Sequence, residues 1–131
     1  MKDPIPDIDQ IQSILHLSAL FVVSRHLGRP ITRSDFDGVI TVTRRQIQEF
    51  VAQNGLPQSV FYSSYEAPKS PGEMTGDGFY LIEEKDRFIF YYQERGCKFN
   101  PQVFSNWEEA RESITDALIN AALLGFEMKP A

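Results

Sequence analysis

Gly78-Phe79-Tyr80-Leu81-Ile82-Glu83-Glu84-Lys85-Asp86-Arg87-Phe88-Ile89-Phe90-Tyr91-Tyr92-Gln93-Glu94-Arg95-Gly96 is the stretch that decides the fold. Two β-prone runs, Phe79 to Glu84 and Arg87 to Gln93, flank the dipeptide Lys85-Asp86 and predict a hairpin. With Lys85 and Asp86 as the turn, Glu84 faces Arg87, Ile82 faces Ile89 and Tyr80 faces Tyr91 on one side. The other side pairs Glu83 with Phe88, Leu81 with Phe90 and Phe79 with Tyr92. Lys-Asp is not a favoured turn pair, so a slip of one residue, which would exchange the faces, is the competing register. Gly96 closes the hairpin, and Phe99 to Phe104 adds a third strand. Pro101 has no N–H to give a ladder, which confines that strand to an edge or a bulge.

Downstream, Ser105-Asn106-Trp107-Glu108-Glu109 opens a helix, with Ser105…Glu108 or Asn106…Glu109 as capping box. Trp107, Ala110, Ile114, Ala117, Leu118, Ala121 and Leu124 trace its buried face, and Gly125 stops it. Upstream, Asp7 or Asp9 can cap a first helix. There Ile8, Ile11, Leu15 and Val22 keep helical spacing, with Ile14, Leu17 and Phe21 beside them. That helix is apolar over more than half its girth, so deep burial is expected, ending at Gly28-Arg29-Pro30. Val39-Ile40-Thr41-Val42 is β-prone, whereas Thr43-Arg44-Arg45-Gln46 caps another helix, striped by Ile47, Phe50 and Val51 and stopped by Gly55. Ser59 to Tyr62 is expected as a strand, and Glu66 to Gly78 as a long loop of the kind that binds or stays irregular. The order helix, helix, strands, helix predicts an α+β fold: an antiparallel sheet of three to four strands with N-terminal helices and a C-terminal helix packed on it.

A chain of 131 residues is expected to form one domain, 1–131, since halves of about 65 residues approach the lower limit for an independent core. Its net charge of −5 argues against direct nucleic-acid binding, which needs a surplus of Lys and Arg. The charge is unevenly placed. Residues 1–61 carry six acids and six bases, residues 62–131 twelve acids and seven bases. Met1 to Asp7 shows no apolar run behind a basic patch, and Ile14 to Val23 is far short of the roughly 20 residues a bilayer span needs. A cytoplasmic location without membrane contact is therefore expected. Cys97 is alone and can build neither a disulfide nor a zinc site by itself, so no cofactor and no metal are expected.

The most tempting catalytic string is Asp35-Phe36-Asp37-Gly38-Val39-Ile40-Thr41, which resembles the first motif of haloacid-dehalogenase-type phosphatases. That chemistry needs both carboxylates at the C-terminal end of a buried strand, where they reach one Mg²⁺. Ile31-Thr32-Arg33-Ser34 supplies no such strand, and Asp-x-Asp-Gly is ordinary turn chemistry, so an enzyme using Asp35 and Asp37 is the remote alternative. His16 and His26 lie ten residues apart on the expected first helix and do not share a face. Cys97 reads as a half-buried strand residue.

Aromatic residues carry more. Phe79 to Phe104 holds eight of the sixteen, and tyrosine suits protein interfaces because a large amphipathic ring orders cheaply. Tyr65, Glu66, Glu73, Asp77, Tyr80, Glu83, Glu84, Asp86, Tyr91 and Glu94 form the expected binding surface, acidic and suited to a basic protein partner.

The segment from Gly78 to Gly96, ending in Glu94-Arg95-Gly96, and the helix start Phe104-Ser105-Asn106-Trp107-Glu108-Glu109-Ala110 resemble small immunity proteins of bacterial polymorphic-toxin and contact-dependent growth inhibition systems. The resemblance implies a non-enzymatic protein that binds a cognate toxin domain and blocks its active site or substrate groove. It transfers no binding residue. An alternative is a small cytoplasmic regulator or adaptor that binds another protein.

Overall fold

A computed structural model describes residues 3–63, 66, 67, 69, 73 and 75–123. The fold is α+β. Five helices, α1 (Asp7–Leu15), α2 (Ala19–Leu27), α3 (Arg33–Val39), α4 (Arg44–Asn54) and α5 (Trp107–Leu123), accompany four strands, β1 (Phe61–Tyr62), β2 (Gly78–Glu84), β3 (Arg87–Glu94) and β4 (Cys97–Phe104). The described residues group into two units, one reaching to Leu56 and resuming at Glu112, the other Pro57–Arg111.

In the first unit, the single long helix expected through Phe21 is two helices. No glycine or proline marks the break; the chain ends α1 with a left-handed residue instead. Leu17 sits at φ 60, its N–H bonded to the Ile14 carbonyl at 3.1 Å, while Ser18 N–H reaches the Ser13 carbonyl at 2.8 Å. This is the Schellman arrangement, and α2 ends in the same one, with Gly28 at φ 74. Gly28 takes that backbone freely, whereas a leucine there costs about 1 kcal/mol or more. The break also changes which residues are covered. Ile11, Ile14, Leu15, Ala19 and Val23 are buried, but Ile8, Leu17 and Phe21, expected in a deeply buried helix, are exposed.

The β-prone residues 39–42 form no strand. They run from α3 into α4, and the Gln10 side chain serves their backbone. Its Oε1 accepts from Thr41 N–H at 2.8 Å and Val42 N–H at 3.2 Å; its Nε2 donates to the Ile5 carbonyl at 2.8 Å and Thr41 Oγ1 at 3.1 Å. Ile40 and Val42 are thereby buried without a ladder. Thr43 and Gln46 make the expected capping box, and Gly55 caps the C-terminus of α4. Between α4 and α5, Arg44 reaches Asp116 at 3.3 Å and Asn120 at 2.5 Å, and Gln48 donates to the Glu112 carbonyl at 3.0 Å. Ala110, Ile114, Thr115, Leu118, Ile119, Ala122 and Leu123 are the buried residues of α5; Ala110, Ile114 and Leu118 are as expected, whereas Trp107 is exposed and Ala117 and Ala121 are half-buried, and Leu124 and Gly125 lie outside the described residues.

In the second unit the sheet order is β1-β2-β3-β4. The hairpin register is the one read from an 85–86 turn, with Tyr80 opposite Tyr91 and Leu81 opposite Phe90. One feature of the expected sheet is corrected. β1 is only two residues long and pairs parallel to β2, so the sheet is mixed rather than antiparallel throughout. Gln58–Val60 forms a 3₁₀ turn just before it and shortens the strand. Arg95 at φ 51 and Gly96 at φ 78 give the β3–β4 hairpin the two positive-φ residues of a type I′ turn. β4 is an edge strand, and between Phe99 and Gln102 it carries one residue more than β3. Asn100 at φ 49 and Pro101 form this bulge, so the proline occupies both of the places open to it. Asn106 caps α5 by accepting from Glu109 N–H at 3.2 Å, and Trp107 lies against Phe88, ring centroids 5.0 Å apart.

Replacing Gln10 by Leu keeps the volume but strands two N–H groups and a carbonyl, and should cost on the order of 3 kcal/mol. Urea unfolding of Gln10→Leu checks this; a midpoint equal to that of the natural chain would show that Gln10 is not what secures residues 41–42.

Candidate partner-binding surface

Strand alternation places two different aromatic groups on the two faces of the β2–β3–β4 sheet. On one face Tyr80 lies between Tyr62 and Tyr91, with centroids 4.8 Å and 5.1 Å away and nearly parallel rings. The Tyr80 hydroxyl donates to the Gly76 carbonyl at 2.7 Å, and the Gln93 amide donates to Thr75 Oγ1 and, at 3.4 Å, to the same carbonyl. This side is closed. Tyr80 and Tyr91 are 0% and 2% exposed, and burial pushes the Tyr91 phenol above its ordinary pKa. The expectation that these two tyrosines are surface anchors is therefore corrected: Tyr62 stacks over one, and the backbone at Gly76 is tied down beside it.

The opposite face carries Phe61, Phe79, Phe90 and Tyr92. Phe90 packs on Phe79 at 5.4 Å and on Phe61 at 6.1 Å, and Phe79 meets the edge of Tyr92 at 5.3 Å. Only the centre is buried. Tyr92 is 37% exposed, its cross-strand partner Phe99 48%, and Trp107, against Phe88 toward the other end, 37%. Glu83, opposite Phe88, and Glu94, two residues beyond Tyr92, are exposed on the same face. Aromatic rings with carboxylates beside them can receive an arginine or lysine by cation–π contact and charge together.

The other expected residues are scattered around this face. Asp86 is exposed in the hairpin turn, and Glu84 is held by Arg87 at 2.5 Å. Asp77 accepts from Arg95 N–H at 2.9 Å, which ties the start of β2 to the β3–β4 turn. Glu66 accepts from the Ser63 hydroxyl at 2.8 Å, and Glu73 from Lys69 N–H at 2.6 Å, so both serve their own loop. Tyr65 lies outside the described residues. Tyr92, Phe99 and Trp107 were not among the expected binding residues. Their signal was the alternation itself, which sets Tyr92 opposite in face to Tyr91 and next to Phe79.

Asp35 and Asp37 lie in α3, not at a strand end. The Asp35 carboxylate is committed: Arg29 donates to it at 2.6 and 2.8 Å, and Thr32 through its N–H at 3.0 Å and its hydroxyl at 2.9 Å. These donors, Arg29 foremost, hold its carboxyl well below the usual carboxylate range. His16 caps the C-terminus of α1 and His26 is in the last turn of α2, so the two are on different helices. Cys97 is exposed rather than half-buried. Among the described residues no three His, Cys, Asp or Glu side chains are grouped to hold a metal ion, and no helix is long and apolar enough to cross a membrane.

No family model matches the chain, and neither the curated proteins nor the solved structures contain a significant match.

Two outcomes test this geometry. The stability that Asp35 contributes is complete above about pH 4 and is lost as the pH falls toward its depressed folded value. Asp35→Asn should thus melt lower than the natural chain at pH 7 and lose part of the decline below pH 4; parallel melting curves across that range would contradict the pairing. A Cβ on Gly76 would stand 2.5 Å from the Tyr62 hydroxyl and 2.7 Å from its ring, so Gly76→Ala must displace that ring. Tyrosine fluorescence or near-ultraviolet dichroism should report the change.

Proposed function

We propose that the chain is an immunity protein, which binds a basic toxin domain and blocks its active site or substrate groove without catalysing a reaction itself. The observation that carries this reading is the half-open aromatic face, where the exposed pair Tyr92–Phe99 lies between Glu94 and the Glu83 end of the hairpin. Resemblance of the hairpin and the α5 start to toxin-immunity proteins supports it, as does the concentration of negative charge in residues 62–131. In this mechanism the carboxylates stand where a nuclease substrate's phosphates would lie, and the rings anchor the complex. Placement inside the producing cell, where such a toxin would act, belongs to the same proposal.

The first experiment is capture of partners from the source bacterium, with the natural chain and a Tyr92→Ala/Phe99→Ala variant as parallel baits. A basic toxin fragment retained by the first and lost by the second supports the proposal. A partner with no toxic activity would transfer the face to a regulator or adaptor. With a toxin in hand, reversing Glu83, Glu84 and Asp86 to Lys should slow association roughly tenfold at low salt and flatten its salt dependence. Unchanged kinetics would place the interface elsewhere.

A further inference from the structure

The residue pair that ends α4 can rearrange its own backbone. Gly55 stands at φ 85, where any side chain would be strained, so the stop requires glycine. Asn54 before it donates its side-chain amide back to the Phe50 carbonyl at 3.0 Å. Both residues are exposed. We propose that Asn54–Gly55 is a latent modification site, where the chain closes to a succinimide and reopens as aspartate or isoaspartate. Hydroxide takes the Gly55 N–H proton, and the nitrogen's electron pair attacks Asn54 Cγ. The Cγ–Nδ2 bond breaks, and ammonia leaves with a proton from water, which restores the hydroxide. Water then adds to one of the two ring carbonyls and breaks its bond to the Gly55 nitrogen. Opening at Cγ gives aspartate in the ordinary main chain, whereas opening at the carbonyl carbon routes the main chain through Cγ. Glycine admits this reaction because no side chain shields the attacking nitrogen. Of the four asparagines only Asn54 precedes a glycine; Asn100 precedes proline, Asn106 tryptophan and Asn120 alanine.

The fold holds the reaction back. The Gly55 N–H proton, which must leave, is donated to the Val51 carbonyl at 2.8 Å. Asn54 is helical, a backbone setting that keeps the next nitrogen out of line with Cγ. Opening of the last turn releases both constraints, and Ala52 to Gly55 are all exposed, at the kind of helix end where opening costs least. Either product then hinders the turn from closing as before. The amide donor to Phe50 is gone, and a carboxylate stands at the C-terminal end of α4, whose last turn has no basic residue. Isoaspartate also lengthens the main chain by one carbon just before Leu56, which is buried. The pair is thus a one-way record of how often α4 has opened, and it does not rest on the function proposed for the aromatic face.

The test incubates the full natural chain in mildly alkaline buffer, folded and in urea, and locates conversion by tandem mass spectrometry. Asn54 should convert first in both, and at least about tenfold more slowly in the folded chain. Ala52→Gly, at an exposed position of the same turn, should speed the folded-state reaction about fivefold and leave the rate in urea unchanged. Asn54→Asp carries one product from the start and should melt a few degrees below the fresh natural chain. Dichroism confirms that each variant is folded. Earlier conversion of Asn100, Asn106 or Asn120, equal rates folded and in urea, or a folded rate untouched by Ala52→Gly would overturn the inference. So would an Asn54 still intact in folded Ala52→Gly after the chain in urea has converted many times over. Asn54→Asp melting together with the natural chain would show that the product leaves α4 as it was, and would overturn the one-way record.

Discussion

One side-chain amide secures the first unit. Gln10 is 1% exposed, and all of its hydrogen-bonding capacity is spent inside the protein. Ile40 and Val42 are buried, and while α3 still serves the Ile40 N–H through the Phe36 carbonyl, Thr41 and Val42 have neither a helix nor a strand to satisfy theirs. A buried N–H without a partner costs about 1–3 kcal/mol, so that passage is stable only because the amide answers both N–H groups. The same amide holds the Ile5 carbonyl and so fixes the approach to α1. Phe36, Ile40, Val42 and Ile47 are buried in the same unit.

The second unit repeats the device with a different outcome. Gln93 is fully buried in β3 and its amide holds Thr75 and Gly76, but its Oε1 has no hydrogen-bond partner among the described residues. Tyr80 completes the fastening through its hydroxyl. Closing this side of the sheet with three hydrogen bonds and a tyrosine stack makes it an interior. The rings that remain accessible are then on the far side, where Tyr92, Phe99 and Trp107 have no comparable cover.

What the residues disclose in advance divides along the same line. Patterns that are local in the chain are legible: the hairpin register, the Thr43–Gln46 capping box, the stop at Gly55 and the edge position of Pro101 all depend on neighbours a few residues away. The break between α1 and α2 is not legible, because Leu17 is a poor left-handed residue and no glycine announces it. Gln10 and Gln93 look like ordinary surface glutamines until residues 31 positions away and 17–18 positions away, respectively, reach them. The choice between Tyr91 and Tyr92 as the accessible ring failed for a related reason. Alternation separates the two faces of a strand but does not say which one the rest of the chain will close.

The two borders of the sheet are both unsuited to receiving another strand. β1 offers two residues, too few for a ladder, and β4 interrupts its outer rim with a left-handed asparagine and a proline. Backbone pairing, the least selective way for one protein to hold another, is thus discouraged at either side. It also deprives the chain of a route to stacking into fibrils, although seven of the eight residues of β4 face solvent. Whatever this sheet recognises must be read by side chains projecting from its faces, a mode in which a single ring or carboxylate can change the partner without disturbing the ladder beneath it.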